Sequence, residues 1–236
     1  LKKQELNQMT NNKKYSRAVL IIFTLAALFY NSWPLGYLLN YKTARYDLAS
    51  DLEFSGQPYD WLFVMGDLLV GACLIVIVIV MRLRLHGEFW SKSLTAVVTG
   101  LFIFGLFTAT SADAPNTCAP RHISICARVD KASFGPDGVE STLAALGLFS
   151  SLVGVNIFNI RTRINKKIKS LSFLMLILWP ICGIAFVFAA GGNHDVHLAQ
   201  QILLIVSGLS MLAIGLNVYP AMGAEFYIKT PGNKAN

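Results

Sequence analysis

Apolar residues fall in six long blocks separated by short polar stretches, at 18–39, 61–81, 94–111, 141–160, 171–190 and 198–219. Each block is close to the ~20 residues an α-helix needs to cross a hydrocarbon core of ~30 Å. The pattern predicts an all-α fold: a polytopic membrane bundle of six transmembrane helices over residues 18–220. A basic tail at 1–17 precedes it and a second tail at 221–236 follows. Pro34 and Pro180 lie inside two blocks and predict kinks, which neighbouring helices tolerate in a membrane. There is no internal repeat, no low-complexity segment and no loop long enough to form a soluble domain.

Charge then orients the blocks. Fifteen of the 20 Lys and Arg residues fall on the side of the two tails, among them Lys2, Lys13, Arg17, Arg82, Arg161 and Lys169. The other five are Lys42, Arg45, Arg121, Arg128 and Lys131. By the positive-inside rule both termini are expected in the cytoplasm of a prokaryotic cell, with the chain in its plasma membrane. The first block continues into Tyr30-Asn31-Ser32-Trp33 with no small-residue cleavage site, so it reads as an uncleaved helix rather than a signal peptide. Only 14% of residues are charged, 54% are hydrophobic, and the net charge is +7. A soluble protein carries roughly a quarter charged residues, so a water-soluble fold is excluded. The positive surplus marks topology, not a nucleic-acid surface. The cluster from Arg161 to Lys169 anchors that topology; contact with anionic lipid headgroups is the alternative.

The acids and histidines gather on the opposite, outer side: Asp47, Asp51, Glu53, Asp60, Asp113, Asp130, Asp137, Glu140, Asp195, His122, His194 and His197. Cys118 and Cys126 share the third loop there, and an oxidising compartment predicts a disulfide between them. A Cys–Cys metal site or two free thiols are the alternatives. Cys73 and Cys182 fall inside apolar blocks, where a thiol behaves as a small hydrophobe.

One acid lies deeper. Asp67 is six residues beyond Trp61, about 9 Å along a helix axis. A carboxylate at such a depth must face the bundle or a wet cavity, which makes it a site candidate; a hydrogen-bonded clamp between helices is the structural alternative. Helical spacing puts Asp60, Asp67 and Gly71 on one face of the second helix. It likewise aligns Glu140, Ala144, Gly147, Ser151 and Gly154 on the fourth, and His194, His197, Gln201, Gly208 and Gly215 on the sixth. Small residues allow close helix packing, and that alone accounts for these faces. The sharper reading is a bundle tight inside and open outward. Its mouth would be lined by Asp67, Asp113, Glu140, His194, His197 and Gln201 as ligand-binding candidates.

Imidazole with carboxylate suits a divalent transition metal, with His194, His197 and Asp67 as the candidate ligands. Asp195 as an N-cap would leave His194 outside the helix and separate that pair. No cofactor is otherwise implied. There is no nucleotide-phosphate loop, C-x-x-C, H-E-x-x-H or G-x-S-x-G.

The run Gly56-Gln57-Pro58, then Trp61-Leu62-Phe63 and Gly66-Asp67, followed by Asp113, Cys118-Ala119-Pro120 and Cys126, resembles a prokaryotic family of six-helix membrane proteins. The family is catalogued as domain of unknown function nine hundred and ninety-eight. The resemblance extends over 18–220 and implies the six-helix fold but no activity. Where many such relatives carry histidines near the start of the fourth helix, this chain reads Pro136-Asp137-Gly138-Val139-Glu140, which weakens a metal site built there. Ceramidase-type and adiponectin-receptor-type hydrolases place His-x-x-x-His on their last helix, whereas the spacing here is His194-x-x-His197.

The expectation is a non-enzymatic integral membrane protein whose acidic outer mouth binds a small ligand, lipid headgroup, cation or partner protein. Membrane lipids are its surroundings, and a membrane-protein partner or a second copy is a further expected contact. The alternative is a metal-dependent membrane hydrolase acting on a lipid-like substrate.

Overall fold

A computed structural model describes residues 2–46, 48–53, 57–84, 91–113, 136–161, 166–192 and 196–223. Its six long helices are α1 (Lys2–Tyr30), α2 (Asp60–Arg84), α3 (Lys92–Asp113), α4 (Pro136–Arg161), α5 (Lys166–Gly192) and α6 (Val196–Gly223). Six spans are long and apolar enough to cross a membrane: Lys14–Leu39, Asp60–Leu83, Lys92–Ser111, Val139–Ile160, Lys166–Ala190 and Val196–Pro220. All six extend past the apolar blocks at one or both ends, because backbone hydrogen bonding does not stop where the hydropathy changes. The segment read from sequence as a basic tail is continuous with α1.

The first block, expected as one helix over 18–39, is interrupted. α1 ends at Tyr30, Trp33–Leu35 form a 3-10 turn, and Gly36–Leu39 make a single α-helical turn. Pro34 has no N–H to return to the carbonyl of Tyr30 four residues earlier, so the ladder lapses there. Pro180 behaves differently: α5 runs through it without a break in assignment.

The helices form a ring in chain order, each packed against the next, with α6 closing onto α1. The α4–α5 contact is the slightest around this ring. Ser16, near the start of the first span, donates its hydroxyl to the Tyr219 carbonyl near the end of α6 at 2.7 Å, so the first span begins and the last one ends at the same end of the bundle.

Glycines set the tightest seams. A Cβ on Gly147 of α4 would lie 2.7 Å from the carbonyl oxygen of Gly100 on α3, and one on Gly100 would lie 2.4 Å from that of Gly147. Between them Ser151 donates to the carbonyls of Val97 at 3.1 Å and Gly147 at 3.0 Å, so a hydroxyl inside the seam keeps a partner. Gly71 meets Gly105 in the same way between α2 and α3. On α6, Gly215 lies against the ring of Phe23 of α1 and Gly208 against Asn31, the residue that follows α1. The small-residue faces read from the sequence thus serve seams between neighbouring helices.

At the end of the bundle where Ser16 meets Tyr219, a polar knot joins α4, α5 and α6. Asn156 donates to the Ser172 carbonyl at 3.1 Å, Asn159 to the Ser172 hydroxyl at 3.0 Å, and Asn217 to the Ile168 carbonyl at 3.4 Å. Lys169 also donates to the Asn159 carbonyl. In lipid such groups have no water to turn to, so paired side chains hold these helices in register.

Candidate functional site

At the opposite end the bundle opens into a cavity of about 600 Å³, within the range typical of small-molecule sites. Every one of the six helices supplies part of its wall, as does the segment after α1. That segment folds back because α6 holds it. Gln200 accepts the backbone N–H of Ala49 at 2.6 Å, and Gln201 donates to the Tyr37 hydroxyl at 3.1 Å and the Ala44 carbonyl at 3.3 Å. Ala44, Leu52 and Phe63 are buried together beneath it with Trp33 packed alongside, a small second core at the rim.

This fold-back brings Glu53 over the cavity that Asp67 lines from α2. Neither carboxylate makes a hydrogen bond or an ion pair among the described residues, and no Lys, Arg or His lines the wall. Burial pushes the Glu53 carboxyl well above its ordinary range, and the negative charge of Asp67 pushes it further. The remaining wall is aromatic and hydroxylic. Tyr30 packs edge-on against Phe104 with centroids 5.4 Å apart, and Trp179 donates to the Ser207 hydroxyl at 3.0 Å while stacking on Phe149. Trp33 also forms part of the wall, and its indole N–H is buried with no acceptor among the described residues.

Of the residues singled out from sequence, Asp67 lines the cavity. Gln201 is buried but spends its amide on holding the rim segment. His197, in the first turn of α6, is partly buried and lies off the cavity wall. Glu140 is also off the wall; its Oε2 is buried without a partner among the described residues, while its neighbours Ser141 and Thr142 do line the cavity. Asp113 is the last residue of α3, and its side chain lies outside the described residues. His194, Cys118 and Cys126 lie outside them altogether. Among the described residues no three His, Cys, Asp or Glu side chains converge as a metal ion requires.

Sequence reading passed over Glu53 and Trp33. Glu53 is one of several acids in a polar loop, and only the Gln200 and Gln201 contacts select it. Trp33 lies inside an apolar block, where an indole reads as core.

No family model matches this chain, and no curated protein or solved structure matches it either. The site is therefore read from its own chemistry.

Proposed function

We propose that this is a multi-pass protein of a prokaryotic cytoplasmic membrane, with both termini cytoplasmic, that binds a small ligand in a cavity open to the outer side. Binding without chemical conversion is the reading the site supports best. Kinship with the six-helix family resembled by Gly66-Asp67 and Cys118-Ala119-Pro120 is part of the proposal. The observation that carries it is the cavity itself: about 600 Å³, walled by all six helices, with carboxylates that no protein cation offsets among the described residues. Several kcal/mol are at stake when an intramembrane acid lacks a partner, so an acid retained there points to function. Among the described residues no histidine lines the cavity to serve its Ser and Thr hydroxyls as a base.

The test uses purified protein in nanodiscs, a library of small amphipathic compounds and thermal unfolding as readout. Gly183 lies on the cavity wall and has open space where a Cβ would project, so Gly183→Phe fills the cavity with little strain elsewhere. Ligands raising the wild-type Tm by about 3 °C or more should lose most of that shift in Gly183→Phe. Equal shifts in both proteins would overturn the cavity as the binding site.

Topology and the outer disulfide are tested together. In whole cells, a membrane-impermeant maleimide should label Cys118 and Cys126 only after reduction. Labelling without reductant contradicts the disulfide, and no labelling after reduction contradicts an outward third loop.

A further inference from the structure

We infer that the occupant of the cavity carries an ammonium group on an apolar, aromatic-compatible body; this rests on the ligand-binding reading above and names its ligand class. The acids of the wall face no base: Asp67 and Glu53 line the cavity from different segments, and no basic side chain lines it among the described residues.

The remaining surfaces select among cations. A bare metal ion needs several oxygen or nitrogen ligands at roughly 2–2.6 Å, and among the described residues the wall brings two carboxylates and no His or Cys to a cavity of about 600 Å³. Tyr30, Trp33 and Trp179, with Phe63 and Phe104 packed behind them, instead present ring surface, which attracts organic ammonium groups and covers their apolar bodies. Such an ammonium could be carried by a free amine or by the headgroup of phosphatidylethanolamine. The headgroup brings a phosphate, for which the described wall has no Lys, Arg or His, so the free amine fits better.

Three probes of matched size separate charge from shape: 2-phenylethylammonium, 2-phenylethanol and phenylacetate. Their binding is measured by calorimetry at pH 7 in phosphatidylcholine nanodiscs. The ammonium should bind at least about tenfold more tightly than the alcohol, and phenylacetate should not bind. Asp67→Asn should reduce the ammonium preference to within about threefold and leave the alcohol unchanged, which general misfolding would not do. Glu53 holds its proton in the empty protein, so an ammonium bound beside it displaces that proton to the buffer. Should Asp67→Asn fail to assemble, Glu53→Gln, outside the spans, should lower the ammonium preference and abolish this proton release. Equal affinity for ammonium and alcohol, with both abolished by Gly183→Phe, overturns the cation inference but retains the cavity. No difference between wild type and Gly183→Phe for any probe overturns both. Adding phosphatidylethanolamine to the nanodiscs identifies the source. Unchanged affinity supports a free amine, whereas weakening by competition supports the ammonium site and assigns it to the lipid headgroup.

Discussion

Gly147→Leu is expected to prevent assembly of a monodisperse protein. A Cβ at this position lies 2.7 Å from the Gly100 carbonyl oxygen and 2.7 Å from the Phe104 backbone nitrogen, both on α3. These are backbone atoms, so no rotamer change relieves the contact. The helices must separate, and separation also breaks the Ser151 to Val97 hydrogen bond in the same seam. Overpacking of this kind costs on the order of 3 kcal/mol or more, a large part of the stability of a bundle this size. Gly183→Ala is the matched control, since nothing lies within 4 Å of its added Cβ. Its unfolding midpoint should stay within about 2 °C of wild type. Size-exclusion profiles and thermal unfolding in detergent read both, and a well-folded Gly147→Leu protein would refute the close α3–α4 seam.

Glu53→Gln should flatten the dependence of stability on pH. In the folded protein burial and then Asp67 raise the Glu53 carboxyl above its ordinary 4.5, so the folded state holds that proton where the unfolded chain releases it. The resulting stabilisation is complete below about pH 4.5 and is lost as pH rises from there through the folded value. Across that window each pH unit costs up to about 1.4 kcal/mol for a single proton. The groups facing Glu53 are Asp67 of α2 and Tyr30 of α1, both of which add negative charge or none as pH rises, so neither reverses the sign. Wild type should lose thermal stability steadily between about pH 5 and pH 7, and Glu53→Gln should lose less and be the more stable of the two at pH 7. A parallel decline in both proteins would show that Glu53 is not the titrating group.

These two outcomes depend on features of unequal visibility in the sequence. The six helices were legible because about twenty apolar residues in a row have one physical solution in lipid. Gly147, Ser151 and Gly154 were legible as one face of a helix, since helical spacing is arithmetic. Their partner was not: nothing in the spacing says that the face meets Gly100 and Ser93 of α3 rather than a cavity. Asp67 stood out by its depth. Glu53 did not, because its burial comes from a loop folding back under two glutamines of α6, a long-range contact that leaves no local pattern. Gln201 falls on the face of α6 that helical spacing directs to the mouth, while its amide clamps the loop that forms the wall, a contact that spacing does not reveal.

The helix that encloses least also has a consequence for how the cavity fills. Only 6% of the α5 span is buried, against 22–56% for the others, and its outward residues Phe173, Ile177, Ile181, Ile184 and Phe188 are all apolar. α5 nevertheless supplies Trp179, Gly183, Phe186 and Val187 to the cavity wall and touches α4 only slightly. One helix thickness therefore separates the site from the acyl chains. An amphipathic amine dissolved in the bilayer is concentrated beside that partition before it ever binds. Apparent affinity referred to the aqueous phase will then scale with the compound's lipid partition coefficient and weaken as lipid is added in excess, whereas affinity referred to the lipid phase will stay constant.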